Sequence, residues 1–349
     1  MNFFAENSIS IIKKIRTVIL TVFMIVLPSV IFPGDYTADF LNIGIGARAA
    51  GMGSAFCSIS DDVSSFYWNP AGVALLKKPV FGGMYGSQFG SFKNPLGTYH
   101  YLGFALPLTG SGVISVNWVR LSVNDIPVFS ELAGDDFWDR LRNRSLRPTG
   151  EAEGYINDTE DAFFFSFALM NKFSLDLGWE YHEVTVNIPV GINIKWIQQS
   201  IGDHEAKCIG IDIGTMVQIP LNDFLQSEKF GTLNFGLNIQ DITETSLKWD
   251  TEHADPIPIN YRIGISYLHE IKWVHSKILI AYDHTTRWRG EKNVGIELQC
   301  MNTINVRSGL HEGKFTGGAG IKFWKICIDY AFLSHDLDSL HRISFSFTP

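Results

Sequence analysis

The feature that most constrains this chain is a two-residue period that runs from about residue 78 to its end. In "VTVNIPVGINIKWI", Val184, Val186, Ile188, Val190, Ile192, Ile194 and Trp196 alternate with Thr185, Asn187, Gly191, Asn193 and Lys195. In "KCIGIDIGTMVQIP", Ile209, Ile211, Ile213, Val217 and Ile219 alternate with Gly210, Asp212, Gly214 and Gln218. The same split sets Leu233, Phe235, Leu237 and Ile239 against Asn234, Gly236 and Asn238, and Ile259, Tyr261, Ile263, Ile265 and Tyr267 against Asn260, Arg262 and Ser266. Side chains of a strand point to opposite faces in turn, so this pattern predicts strands with one apolar and one polar face. Fourteen segments carry it: 78–90, 96–108, 111–123, 160–171, 184–199, 206–220, 230–241, 258–269, 275–285, 292–301, 302–311, 314–324, 325–333 and 340–347. Several are joined by one or two residues, which requires antiparallel neighbours, since a parallel crossover takes a dozen or more. The chain is predicted to be all-β.

An apolar face must be covered, by a second sheet in a soluble sandwich or by lipid around a barrel. Charged residues make up 18% of the 349, below the roughly 25% of soluble domains. The segments match the roughly 9–11 tilted residues that cross a bilayer. Trp196, Tyr261, Tyr267 and Tyr282 sit near segment ends, where a barrel carries its aromatic girdles. Asp212, Glu297, Arg307, Lys322 and Asp329 fall on the polar face as isolated charges, suited to a narrow interior. These features predict an antiparallel transmembrane β-barrel of about fourteen strands over 78–349, closed because a flat sheet of that size would expose sticky edges. "LHRISFSFTP" is the expected closing strand, with Ile343, Phe345 and Phe347 outward.

The first residues fit export. Lys13, Lys14 and Arg16 precede the apolar run "TVILTVFMIVLPSVIF", which Pro28 interrupts, so 1–34 reads as a signal peptide to the cell outer membrane, with an uncleaved anchor as the alternative. A net charge of −8 argues against nucleic acid as a partner. Cys57, Cys208, Cys300 and Cys327 show no metal-ligand spacing and read as small packing residues. No HExxH, GxSxG or P-loop occurs, so no enzymatic activity, cofactor or metal is expected. Ser344 and His341 share the last segment but differ by three positions, which puts them on opposite faces.

Ahead of the barrel, residues 46–72 read "GARAAGMGSAFCSISDDVSSFYWNPAG". "GARAAGMGSAF", "SISDD" and "YWNPAG" together resemble the N-terminal segment of the FadL/TodX-like outer-membrane proteins, most closely their PorV/PorQ branch and related uncharacterised barrel proteins. "AYDHT", "NVGIELQ", "GGAGIKF", "IDYAFLS" and "HRISFSF" add fainter echoes further on. The resemblance implies a fourteen-stranded barrel whose segment 35–77 folds inside as a hatch, and a role in uptake of hydrophobic small molecules such as long-chain fatty acids. The PorV branch implies instead a binding and assembly protein that receives exported cargo for secretion or surface machinery.

A hatch must turn sharply and approach the wall closely, which suits Gly44, Gly46, Gly51 and Gly53. Arg48 belongs to the same candidate gating set. Asp61 and Asp62 are expected to cap a helical turn or to bind lumenal cations such as Lys195 or Arg307. Pro70 restricts Asn69 to extended backbone at the exit. A segment that merely fills the lumen stays open as the simpler reading. The stretch from Asn124 to Asn157 is too long for a hairpin, and its Phe137, Trp138 and Leu141 form a candidate ligand- or partner-binding surface that Trp249 of the loop 243–258 could complete. A solvated, mobile loop is the alternative.

Overall fold

The computed structural model describes residues 37–91, 94–134, 136–146, 150–176, 183–287, 290–335 and 339–349; the expected leader at 1–34 lies outside the described residues. Sixteen strands follow one another: β1 (Val80–Ser91), β2 (Asn94–Pro107), β3 (Gly112–Val128), β4 (Gly154–Asp176), β5 (Glu183–Ile201), β6 (His204–Pro220), β7 (Thr232–Gln240), β8 (Ser246–Trp249), β9 (Ala254–Pro256), β10 (Asn260–Ile271), β11 (Ser276–Thr285), β12 (Glu291–Cys300), β13 (Ile304–His311), β14 (Lys314–Phe323), β15 (Ile326–Leu333) and β16 (Leu340–Phe347). All but β8 and β9 form one closed antiparallel ring of fourteen. The ring shuts where β1 meets β16, from Phe81 opposite Phe347 to Gly86 opposite Arg342.

Each segment that alternates in the sequence is a ring strand. Ile194, Ile209 and Ile296 point outward and are 51%, 66% and 45% exposed, while Asn193, Asp212 and Glu297 point inward and are buried. Val184 and Val186 keep the outward parity but are buried where they lie opposite Leu175 and Phe173 across the β4–β5 pair. Lys322 is inward by parity yet exposed, because β14 ends one residue later at the rim. An outer face of Phe, Ile, Val, Leu and Trp on a ring without edges is a face that hydrocarbon covers; water would leave it aggregating. Such a ring crosses a membrane.

Two stretches differ from expectation. The excursion from Asn124 is partly strand: after a register shift between Val123 and Ile126, pairing resumes with Ile126 opposite Ile156 and Val128 opposite Gly154. Apolar residues on both branches sustain the ladder beyond the barrel wall, which the charged, glycine-containing middle of the stretch obscures in the sequence. In the 243–258 stretch, β8 adds to β6 with Trp249 opposite Ala206, and β9 folds back on β8.

The two mouths of the ring are unlike. At one, here the terminal end, β1 begins and β16 finishes, and the turns 301–303 and 324–325 are short. The opposite, loop end carries 129–153 and 241–259.

The inward face is not polar throughout. Tyr99 and Tyr101 of β2, Val119 of β3, Ala162 and Phe164 of β4, and Ile197 of β5 are buried in one cluster, joined by Leu247 and Ile257 from the loop end. Elsewhere on the ring the inward residues include charged ones: Arg262, Asp283, Glu297, Arg307, Asp329 and Arg342 are all buried.

An arginine at Ile296, midway along β12, is therefore expected to destabilise the barrel by about 2–4 kcal/mol, the cost of a cation near the bilayer midplane. Urea unfolding in lipid vesicles measures it; a change within about 0.5 kcal/mol, normal for a water-exposed site, would contradict the lipid-facing assignment.

Candidate functional site

Residues 37–76 lie inside the ring, and their backbone is held by inward side chains from strands on every side. The Arg342 guanidinium of β16 donates to the carbonyls of Ile43 and Gly44 at 2.6 and 2.8 Å. Asp283 of β11 accepts from the amides of Phe56 and Cys57 at 2.8 and 2.7 Å. Asn193 of β5 and Asn238 of β7 donate to the carbonyls of Phe66 and Trp68 at 2.7 and 3.0 Å. Tyr99 of β2 donates to Phe40 O at 2.9 Å, and Thr316 of β14 to Gly51 O at 3.2 Å. The segment has only short helical turns, Ala47–Gly51 and Ser65–Trp68 among them. Turn bonds within the segment satisfy only part of its peptide groups, and the polar inward positions supply partners to others.

Glycines fix how near the segment comes. Gly295 and Gly309 face each other across β12 and β13, and Gly53 lies against them. Gly53 has φ +63°, and a Cβ there would fall 2.6 Å from the carbonyl oxygens of both Val294 and Leu310. No other residue fits that backbone and that gap. Gly191 opposite Gly214, and Gly236 opposite Gly264, make the same kind of flat floor beneath Pro70 and Cys57. Gly44 and Gly46 carry positive φ values of 78° and 83° at the bends, and Gly51 packs on Gly318.

Asn69 is extended at φ −162°, as the following Pro70 requires. Its amide nitrogen donates to Cys57 O and to Thr215 O of β6, each at 3.1 Å, and its oxygen accepts from Ala71 N at 3.1 Å. One side chain thus joins two turns of the segment to the wall.

The charged residues assemble differently from expectation. Asp61 and Asp62 pair neither with Lys195 nor with Arg307; both pair with Arg48 of the segment itself. Asp62 also accepts from Ser64 N at 2.8 Å and Ser64 Oγ at 2.6 Å, just ahead of the Ser65–Trp68 turn, which has no side-chain cap of its own. Arg48 reaches onward to Glu297 in a two-pronged pair at 2.9 Å, and Glu297 continues to Arg307, which holds Asp329 at 2.6 Å. Lys195 was taken up elsewhere, by Asp212 and Asp241 at 2.8 Å each. The sequence does not reveal this sorting, because partners on different strands meet only through register. Burial works against the Arg48 charge, but Asp61 and Glu297 outweigh it and raise its pKa well above the ordinary arginine value. Burial, with Asp283 adding to it, pushes the Cys57 thiol well above its usual range, so it stays protonated. All four cysteines are free, and among the described residues no group of His, Cys, Asp and Glu could hold a metal ion.

The segment's aromatic rings divide between the two kinds of wall. Phe66 packs on Phe164 of the apolar sector at 5.0 Å between centroids, whereas Trp68 lies under the Arg262 guanidinium at 4.7 Å. On the terminal side the segment leaves a cavity of about 920 Å³ whose lining includes Arg48, Asp61, Asp62, Glu297 and Arg307.

The loop residues are not brought together as expected. Phe137, Trp138 and Leu141 form an exposed helical turn, Phe137–Arg142, capped by Asp136, with the two rings 5.5 Å apart. Trp249 instead packs against the buried cluster and donates to Asp255 at 2.9 Å. Ser344 and His341 do face opposite ways: Ser344 accepts from Ala47 N inside, whereas His341 meets the exposed Tyr330 hydroxyl.

No family model and no curated protein matches the chain. Among solved structures, the toluene transporter TbuX of Ralstonia pickettii aligns over 87% of this chain and 98% of that one, at 11% identity and a TM-score of 0.48. The P. putida toluene transporter TodX aligns over 88% and 99%, at 11% identity and 0.49. The Acinetobacter baumannii outer membrane protein Omp33 aligns over 78% and 98%, at 7% identity and 0.34. Likenesses this distant carry no argument about what this chain does.

Replacing Asn69 by Ala leaves the Ala71 amide and the Cys57 and Thr215 carbonyls without their partner, so a loss of about 1–3 kcal/mol is expected. Urea unfolding in vesicles reads it; a stability equal to the parent protein would mean that the segment is not docked as described.

Proposed function

We propose that the protein is an outer-membrane conduit for small hydrophobic molecules, gated by residues 37–76 acting as a hatch. The observation that carries this reading is the apolar sector of the inner wall. A pore for polar solutes has no use for Tyr99, Tyr101, Val119, Phe164 and Ile197 on its lumenal side. An apolar ligand entering there exchanges contacts with Phe66 for contacts with itself, at small net cost. The gating set is then Gly44, Gly46, Arg48, Gly51, Gly53, Asp61, Asp62, Asn69 and Pro70, with the Arg48 ion network holding the closed position. Phe137, Trp138 and Leu141 at the loop end form the first landing surface for the ligand. Long-chain fatty acids are the substrate class we favour, and export by the leader 1–34 places the barrel.

A second reading has its own support. Phe137 and Trp138 are 62% and 58% exposed in the helical turn between the paired strands β3 and β4, and exposed apolar rings on a connection suit docking of another protein. There the barrel would receive exported cargo, as the PorV-like resemblance implies.

Uptake separates them. Purified protein in liposomes is expected to speed entry of a fluorescent fatty acid, and the pair Phe137→Ser and Trp138→Ser to slow it roughly tenfold, since each anchor ring contributes on the order of 1 kcal/mol at a docking surface. Entry no faster than into empty liposomes would overturn the conduit.

A further inference from the structure

The cavity at the terminal end has an imbalance of charge that the gating network does not absorb. Within it, Arg48 and Arg307 pair with Asp61, Asp62, Glu297 and Asp329, and Lys277 pairs with Glu270 outside the lining. Lys77, Lys78, Lys322 and Lys325 also line the cavity, and none of the four makes an ion pair among the described residues. Lys272, off the lining at this end, holds Glu228 at 3.1 Å. The lining side chains thus carry seven cations against four carboxylates, a surplus of three, which in a chain of net charge −8 is a local reversal of sign.

The topology makes the four unpaired lysines a single arc. Lys77 and Lys78 lead into β1, Lys322 lies next to the end of β14, and Lys325 is in the turn to β15. β16, paired with both β1 and β15, closes the arc. Lys322 stands opposite Cys327, two residues from Gly320, which faces the inward Asp329. Its side chain is therefore on the lumenal parity, away from the face that lipid covers. Trp324 in the same turn is 75% exposed, with the Lys325 ammonium 5.0 Å from its ring.

We propose that this mouth is a docking site for an acidic peptide segment of a second protein. A concave, like-charged rim focuses its field and draws in opposite charge. A single small anion would meet one or two of these lysines, whereas carboxylates spaced along an extended chain meet the whole arc. The cavity, at about 920 Å³, takes more than a lone ion. Trp324 offers an apolar platform for whatever side chain interrupts the acidic run. This inference goes beyond the conduit and is independent of it: uptake and peptide binding are read separately, so either can fail alone.

Fluorescein-labelled hexaglutamate, titrated into the full chain in nonionic detergent and followed by anisotropy, is the test. Expected is saturable binding that weakens with added salt, and that falls at least about tenfold in the double variant Lys322→Glu and Lys325→Glu. The double variant Lys229→Glu and Lys272→Glu, with the same charge change at the same end but off the cavity lining, is expected to change binding less than about twofold. Heat-modifiable gel migration checks that both variants fold. Absence of saturation, or equal weakening in both variants, overturns the proposal. So does failure of hexaglutamate to bind when phosphatidylglycerol vesicles bind in a Lys322- and Lys325-dependent way, which would make the rim a lipid-headgroup contact instead.

Discussion

A peptide backbone enclosed by a protein wall must have its amides and carbonyls satisfied, and a segment with little helix of its own cannot satisfy them alone. That requirement organises this molecule. Asp283 holds two successive amides, Arg342 two successive carbonyls, and Asn193, Asn238 and Asn69 bridge further peptide groups between segment and ring. The polar half of each strand's alternation is thus a set of hydrogen-bonding positions shaped to one particular occupant. Facing glycines on neighbouring strands bring backbone against backbone and fix its depth.

The charges divide along the same lines. Backbone is held by isolated, one-to-one partners, while Arg48, Asp61, Asp62, Glu297, Arg307 and Asp329 form a connected network at the edge of the terminal cavity. Within it Asp61 and Asp62 keep partial exposure, whereas Glu297, Arg307 and Asp329 are buried. The Lys195 cluster does a different task, tying the bend at Asp241 to the wall at the loop end.

The ring was legible in the sequence because strand geometry writes itself into a local pattern. Ile209, Ile211 and Ile213 against Gly210, Asp212 and Gly214 declare two faces without reference to any other strand. The occupant of the lumen was legible only in part. Gly44, Gly46 and Gly53 signal bends, and Asn69 before Pro70 signals an extended exit, since these are properties of one or two residues. Asp283 and Arg342 carry no such mark: each is one polar residue on an alternating strand, and its role exists only once the register brings the segment beside it. The pairing of Asp61 and Asp62 with Arg48 was hidden for the same reason, although the three are close in sequence. The paired glycines, Gly295 with Gly309 above all, were visible as inward positions, but their meaning depends on what lies against them. Trp249, placed by its loop as a candidate companion of Phe137 and Trp138, is turned by β8 onto the buried cluster, which only the pairing of β8 with β6 decides.

Whether the segment seals the ring is open to direct measurement. The full chain in a planar lipid bilayer is expected to carry no steady ion current at modest voltage, since residues 37–76 are bonded to strands all round the lumen. A steady, ligand-independent current through the full-length protein would contradict the account, because it would require an open path that those bonds forbid.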